Sequence, residues 1–243
     1  MPNPAEASPP AGQFGPDVYA SWRGSSLGEI TETLERRLIL RLAGPLQGRS
    51  VLDVGCGDGT LALVAARSGA AQVVGCDPDP RMIARAAAQA ERGNADISLA
   101  IARSQALPFA DGSFDLVTCI TVLAFVPDAA GAIREMARIL RPGGRLVIGD
   151  LGRWSCWAVR RRIRGWFGAA LWRGARFWGT GELAALVRGA GLTVDATNGA
   201  IFYPPWTAAA RVMAPLDPVL GKVTTLGAAF VTVLATKDRQ RSR

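Results

Sequence analysis

Five short runs, SVLDVG (50–55), AQVVGCD (71–77), DISLAIA (96–102), SFDLVTCI (113–120) and GRLVIGD (144–150), are largely apolar on both faces. Only a strand covered on both sides buries such a run, and helical segments fall between them, near 58–68, 80–92 and 129–140. An earlier helix places Ile30, Leu34, Leu38 and Leu42 at helical spacing and ends at Gly44 and Pro45. The alternation predicts a doubly wound α/β sheet of about seven strands, mostly parallel, with helices on both faces.

Composition narrows the function classes. At 243 residues the chain suits one domain, spanning 17–237, with a leader at 1–16 read as disordered and a basic tail at 238–243; the closing KDRQRSR, from Lys237 on, reads as frayed. No apolar run reaches the roughly 18 residues needed to cross a bilayer. The N-terminus lacks a basic start followed by an apolar core, which predicts a cytoplasmic protein. Histidine is absent, which removes imidazole as a general base and any histidine-containing zinc site. Cys56, Cys76, Cys119 and Cys156 are widely spaced, and three sit in apolar runs, so they read as reduced and structural. The net charge of +8 comes from 26 arginines and two lysines, a skew whose placement says more than its total.

The strongest chemical signal is VLDVGCGDGT (51–60), where a buried strand runs into Gly55, Gly57 and Gly59 and then a helix. Glycines there permit a tight turn and close approach of a ligand to the backbone, beside the positive end of the helix, as in Rossmann-like folds. The spacing is GxGxG; a dinucleotide fingerprint would need a third glycine or an alanine at Thr60, which points away from NAD. Asp77, at the end of the second strand, can accept both hydroxyls of a ribose, so the ligand contains a nucleoside.

VLDVGCGDG, VVGCDPDPRM, ALPFADGSFDLV and EMARILRPGGRLVI resemble, in order, the motifs of class I S-adenosylmethionine-dependent methyltransferases. The nearest group is the one that includes the quinone-biosynthesis C-methyltransferases and many small-molecule methyltransferases (methyltransferase type 11). The resemblance covers residues 45–150 and continues more weakly to the final strand near 236, which it implies to be antiparallel. It implies S-adenosyl-L-methionine as cofactor, with Asp53, Gly55, Cys56 and Gly57 at its methionine end, Ile120 facing the same portion, Asp77 on its ribose, and Pro78 and Met82 beside the adenine. Arg103 stands where the family often carries an acid for the adenine amino group; Ser104 and Gln105 would supply hydrogen bonds instead. Met82 also reads as core filler, Asp115 as a residue that fixes a strand entrance, and RPGG as a turn.

Methyl transfer is an in-line displacement, and holding both reactants in line supplies about 7–11 kcal/mol, so a dedicated base is optional. Without histidine, the candidates for one are Asp150, Tyr19, Tyr203 or water. Neutral amines and acidic phenols or thiols need least help, and carbon methylation is disfavoured. The function implied is methyl transfer to a small-molecule or lipid-like acceptor. The alternative is a non-catalytic S-adenosylmethionine-binding protein attached to a membrane.

One stretch stays unabsorbed by these motifs. RWSCWAVRRRIRGWFGAALWRGARFW (153–178) holds five of seven tryptophans, seven arginines and no acid. As a helix it puts Cys156, Val159, Ile163, Trp166, Phe167 and Ala170 on one face and Arg160, Arg161, Arg162 and Arg164 over the rest. Three readings stand open: an ordinary cap helix packed by its apolar face, peripheral contact with an anionic membrane, and, least favoured for want of any recognisable module, nucleic acid. The cap over the acceptor would comprise 17–44, with Tyr19 and Trp22 as a flap, 151–180 and 200–222. Thr180 is expected to cap the helix that follows.

Overall fold

The computed structural model describes residues 22–239. Helix α1 (Ser26–Ala43) is followed by β1 (Ser50–Val54), α2 (Thr60–Arg67), β2 (Gln72–Asp77), α3 (Pro80–Arg92), β3 (Ser98–Ile101) and β4 (Phe114–Ile120). Then come α4 (Ala129–Ile139), β5 (Leu140–Leu151), α5 (Cys156–Trp166), α6 (Ala170–Arg173), α7 (Thr180–Gly189), β6 (Leu192–Ala200), α8 (Thr207–Met213), α9 (Asp217–Val223) and β7 (Phe230–Lys237). The seven strands form one sheet in the order β3-β2-β1-β4-β5-β7-β6. β1 pairs in parallel with β2 and β4, and β7 runs antiparallel to both β5 and β6, so the last strand alone is reversed.

The period of two in each strand divides the core. Val51, Leu116, Val147 and Phe230 face one side, where Leu34, Leu38 and Leu42 of α1 and Ala62 and Ala65 of α2 cover them. Leu52, Val117, Leu146 and Ile148 face the other, under Ile133 and Met136 of α4 and Leu183 and Val187 of α7. Asp115 fastens the strand entrance as expected: it accepts from Ser50 N and Oγ, both at 2.8 Å, and from Arg141 Nη1 at 2.9 Å. Cys56, Cys76 and Cys119 are buried, Cys156 is exposed, and all four are free thiols.

Four expectations need correction. The strand containing RPGG begins already at Leu140; Leu140 pairs with Phe114 and Arg145 with Leu116, so Arg141–Gly144 bulge out within β5. Gly179, not Thr180, is the N-cap of α7, and the Thr180 hydroxyl meets Thr225 Oγ1 at 3.0 Å. Lys237 is no frayed residue: its ammonium donates to the carbonyls of Ala137 and Leu140 at 2.7 and 2.8 Å, closing the end of α4.

The fourth correction concerns α5. Its apolar stripe points outward: Trp166 and Phe167 are 79% and 87% exposed, and Val159 and Ile163 are exposed too. Trp157, Ala158 and Gly165 face the protein. The reason is the fit of the inner face. Trp157 Nε1 donates to Tyr203 O at 2.8 Å, and Gly165 lies so close to Trp172 that a Cβ would stand 3.0 Å from its carbonyl carbon. Arg161 and Arg162 stack inward on aromatic rings, Arg162 4.9 Å from the centroid of Phe177.

Leu116 is 1% exposed between the α1–α2 layer and the sheet. Leu116→Ala is expected to lower unfolding free energy by about 2–5 kcal/mol, read as a lower urea midpoint with an unchanged m-value.

Candidate active site

The carboxyl ends of β1, β2 and β4 meet around the glycine turn. Gly55, Gly57 and Gly59 have φ of +71°, +56° and +81°, a conformation that side chains rarely adopt. Gly55 N and Cys56 N both donate to Cys76 O, at 2.7 and 2.9 Å, so the turn is tied to β2. A Cβ on Gly55 would sit 2.3 Å from Val122 Cγ2, whereas one on Gly57 would meet nothing within 4 Å. Gly55 is therefore needed for packing, and Gly57 for an open backbone edge.

Asp77 closes the opposite side. Its Oδ2 accepts from Gly57 N at 3.1 Å and its Oδ1 from Asp79 N at 2.9 Å, so each oxygen keeps a lone pair for a ligand. Burial raises its pKa and the two amide bonds oppose that. Asp79 caps α3 through Arg81 N, with Pro78 between the two acids and Met82 buried on the first turn. Asp53 lies beneath the turn, accepting from Thr118 Oγ1 at 2.7 Å; burial pushes its pKa up to about 7 against that bond. Ser104 is buried and donates to Gln105 Oε1 at 3.2 Å, beyond β3.

The cradle fits an adenosyl group on its own geometry: a bare backbone edge at Gly57, a facing carboxylate with free lone pairs, and the start of α2 beside it. Arg23 clamps it from above, reaching Asp58 Oδ2 at 2.5 Å, Thr60 Oγ1 at 2.9 Å and Glu32 Oε1 at 2.8 Å. Ile120, half-buried, ends β4 at the same edge, and the next residue, Thr121, holds φ at +56° with its N–H on Gly149 O at 2.7 Å. A β-branched residue in that conformation is strained, and such strain gathers at functional edges.

The candidates for a base fare differently. Asp150 is fully buried and accepts from Ala124 N at 3.1 Å and from Leu151 N at 2.7 Å. Its Oδ2 holds the turn after β4 and its Oδ1 the end of β5, which argues against a base exposed to substrate. Tyr203 shares a 3.0 Å hydrogen bond with Thr31 Oγ1, and burial pushes its pKa up to about 12, so it keeps its proton. Tyr19 lies outside the described residues, as do the leader and the last four residues. The buried thiols Cys56, Cys76 and Cys119 are also pushed up by burial and stay protonated. Among the described residues no cluster of metal-ligating side chains occurs.

Two charged residues escaped the sequence reading. Glu35 occupies the buried side of α1, one turn beyond Thr31, and burial pushes its pKa up to about 8. Arg161 points inward from α5. The signal for Glu35 was a carboxylate inside the stripe of Thr31, Leu34, Leu38 and Leu42. Arg161 gave no signal, because its neighbours in sequence are also arginines.

The two glycines predict contrasting variants. Gly55→Ala should lower stability by roughly 1–3 kcal/mol in thermal unfolding, through strain and the Val122 clash. Gly57→Ala should cost only about 1–2 kcal/mol, for its left-handed backbone alone.

Residues 52–148 match the family described as a methyltransferase domain. The ubiquinone biosynthesis O-methyltransferase of Xanthomonas oryzae pv. oryzae is 35% identical over 173 residues, 69% of this chain and 72% of that protein. The 27-O-demethylrifamycin SV methyltransferase of Amycolatopsis mediterranei is 39% identical over 124 residues, 49% of this chain and 46% of that one. Among solved structures, magnesium protoporphyrin IX methyltransferase from Synechocystis PCC 6803 with bound SAH superposes with a TM-score of 0.66 at 18% identity, covering 91% of this chain and 93% of its own. A methyltransferase from Thermotoga maritima gives 0.67 at 22% identity, covering 91% and 96%. The glycine turn and Asp77 thus stand in a chain that belongs to the class I methyltransferases, enzymes dependent on S-adenosylmethionine.

Proposed function

We propose that this enzyme methylates a hydroxyl oxygen of a small, lipid-like acceptor taken from the surface of an anionic membrane. Oxygen is favoured because both curated relatives above bear O-methylation in their names. In this reading Asp77 accepts from both ribose hydroxyls, Pro78 and Met82 flank the adenine, and Ser104 with Gln105 serves its polar edge. Gly55, Cys56, Gly57, Asp53 and Ile120 surround the methionine end. Bound S-adenosylmethionine supplies a methyl group on a positively charged sulfur, which the acceptor oxygen attacks in line. The chain positions the acceptor and excludes water, under a cap built from the start of α1, residues 151–180 and residues 200–222.

The observation that carries the membrane reading is where the apolar surface lies. Among the described residues, all the large exposed apolar side chains but Ile101 fall between Trp154 and Leu226. α5 offers Val159, Ile163, Trp166 and Phe167; the α8–α9 segment offers Trp206, Val212, Leu216, Val219 and Val223. Arg160 Nη1 reaches Pro205 O at 3.5 Å, so the two segments adjoin. Arg160, Arg164, Arg173, Arg211 and Lys222 are exposed among them. The only acid in 153–178 and 200–226 is Asp217, buried and bonded to Ile201 N and Phe202 N at 2.9 Å. An apolar crest with unopposed positive charge matches an anionic bilayer, where each basic residue contributes about 1 kcal/mol before screening. No described helix is long and apolar enough to span it.

Two measurements test the proposal. Asp77→Ala should weaken S-adenosylmethionine binding by about 10-fold or more in calorimetry, since it removes charge-assisted bonds; unchanged affinity would remove the ribose assignment. The protein should float with phosphatidylglycerol vesicles at about 0.15 M salt, far less with phosphatidylcholine, and a Trp166→Glu, Phe167→Glu variant should not float. Absence of wild-type flotation ends the membrane reading.

A further inference from the structure

A second charged pair lies beyond the cofactor crevice, between α1 and the α5–α6 turn. The Arg161 guanidinium sits over Trp157 and Trp172, 5.2 and 5.0 Å from their ring centroids, and its Nη1 is buried with no hydrogen-bond partner. Glu35 and Asp150 are the opposite charges that act on it, yet it forms an ion pair with neither. Native proteins seldom leave a buried cationic donor orphaned, so such a donor marks a place for a water, an ion or a ligand.

Glu35 lies within electrostatic reach of Arg161. Thr31, one turn before it, meets the Tyr203 hydroxyl at 3.0 Å, and the Tyr203 carbonyl accepts from Trp157 Nε1 at 2.8 Å. Tyr203 therefore ties α1, which carries Glu35, to α5, which carries Arg161. Glu35 is half-buried and makes no hydrogen bond or ion pair among the described residues, so its carboxylate remains available.

We infer that Arg161 and Glu35 form the acceptor subsite, which takes a planar aromatic hydroxyl compound carrying negative charge, held by Arg161 and the two indoles and deprotonated by Glu35. This rests on the methyltransferase reading of the crevice and deepens it. In the step, the acceptor oxygen bonds to the methyl carbon as the carbon–sulfur bond breaks. Sulfur keeps that electron pair and becomes a neutral thioether, and the hydroxyl proton passes to the Glu35 carboxylate.

The pH dependence follows from the groups around Glu35. Burial pushes its pKa up to about 8, Arg161 from α5 opposes that, and Glu32 on the same helix adds to it. Burial lowers Arg161 to about 10, with Glu35 and Asp150 opposing. Tyr203, the remaining neighbour, stays neutral to about 12. A base with a raised pKa is ionised only above it, so turnover should rise with pH through about 8.

The probe is nitrocatechol, an acidic chromophoric phenol whose ionised form absorbs at longer wavelength, titrated into the full chain saturated with S-adenosylhomocysteine. Wild-type protein should bind it as the anion and show quenched tryptophan fluorescence. Arg161→Met should weaken that binding by about 10-fold or more, with S-adenosylhomocysteine affinity and melting temperature unchanged; Arg161→Lys should restore part of it. Glu35→Gln should bind the probe within about 3-fold, a difference too small for a lost charge-assisted bond. With S-adenosylmethionine it should lose the rise in nitrocatechol methylation near pH 8. If the homocysteine compound binds and nitrocatechol does not, or Arg161→Met binds it as wild type does, the subsite is wrong. Probe binding without methyl transfer, or a wild-type rate flat through pH 8, removes Glu35 as the proton acceptor. Failure to bind the homocysteine compound would instead sink the crevice reading beneath it.

Discussion

Two backbone amides, Gly55 N and Cys56 N, share one carbonyl, Cys76 O, and the rest of the site depends on that bifurcated tie. It pulls the end of β1 against the end of β2 and turns the chain sharply enough to require left-handed residues. It also delivers Gly57 N to the Asp77 carboxylate. Without it the acid and the bare backbone edge would face different directions. Val122 fills the space that a side chain on Gly55 would occupy, so the β4 exit is packed against the same turn. The strain at Thr121 is the counterpart on that side: its N–H is held by Gly149 O from β5.

Around this edge, burial decides the state of most carboxyls. Asp53, Asp150 and Glu35 are all raised by desolvation, but their partners differ. Thr118 holds Asp53, and backbone amides hold Asp150. Glu35 has only a distant cation. Identical side-chain chemistry thus divides into fasteners and an available group according to whether a donor lies within reach. A similar division separates the arginines of α5. Arg161 and Arg162 lie against aromatic rings, whereas Arg160 and Arg164 stay in solvent beside the outward apolar stripe.

Most of the sheet was legible because a strand buried on both faces leaves an unmistakable apolar run, and Gly44, Asp79 and Gly191 punctuate the helices at or beside their ends. α3 begins and ends as its pattern requires, since a proline at its first position and an aspartate before it are local signals. The single reversed strand followed from the family resemblance. The orientation of α5 was not legible. Its hydrophobic stripe satisfied the helical period, but an amphipathic helix after the last parallel strand can turn either face inward, and the choice rests on Tyr203 and Trp172.

Local signals therefore determined the order of strands and helices, the glycine turn and the acid opposite it, because each is written within a few residues of chain. What covers the acceptor end was decided only by the tertiary structure. Glu35 and Arg161 are separated by more than half the fold in sequence and come within electrostatic range where Tyr203 joins α1 to α5. Which arginine is drawn inside depends on two indoles and a glycine contact, interactions between distant segments that no periodicity in a single helix can encode.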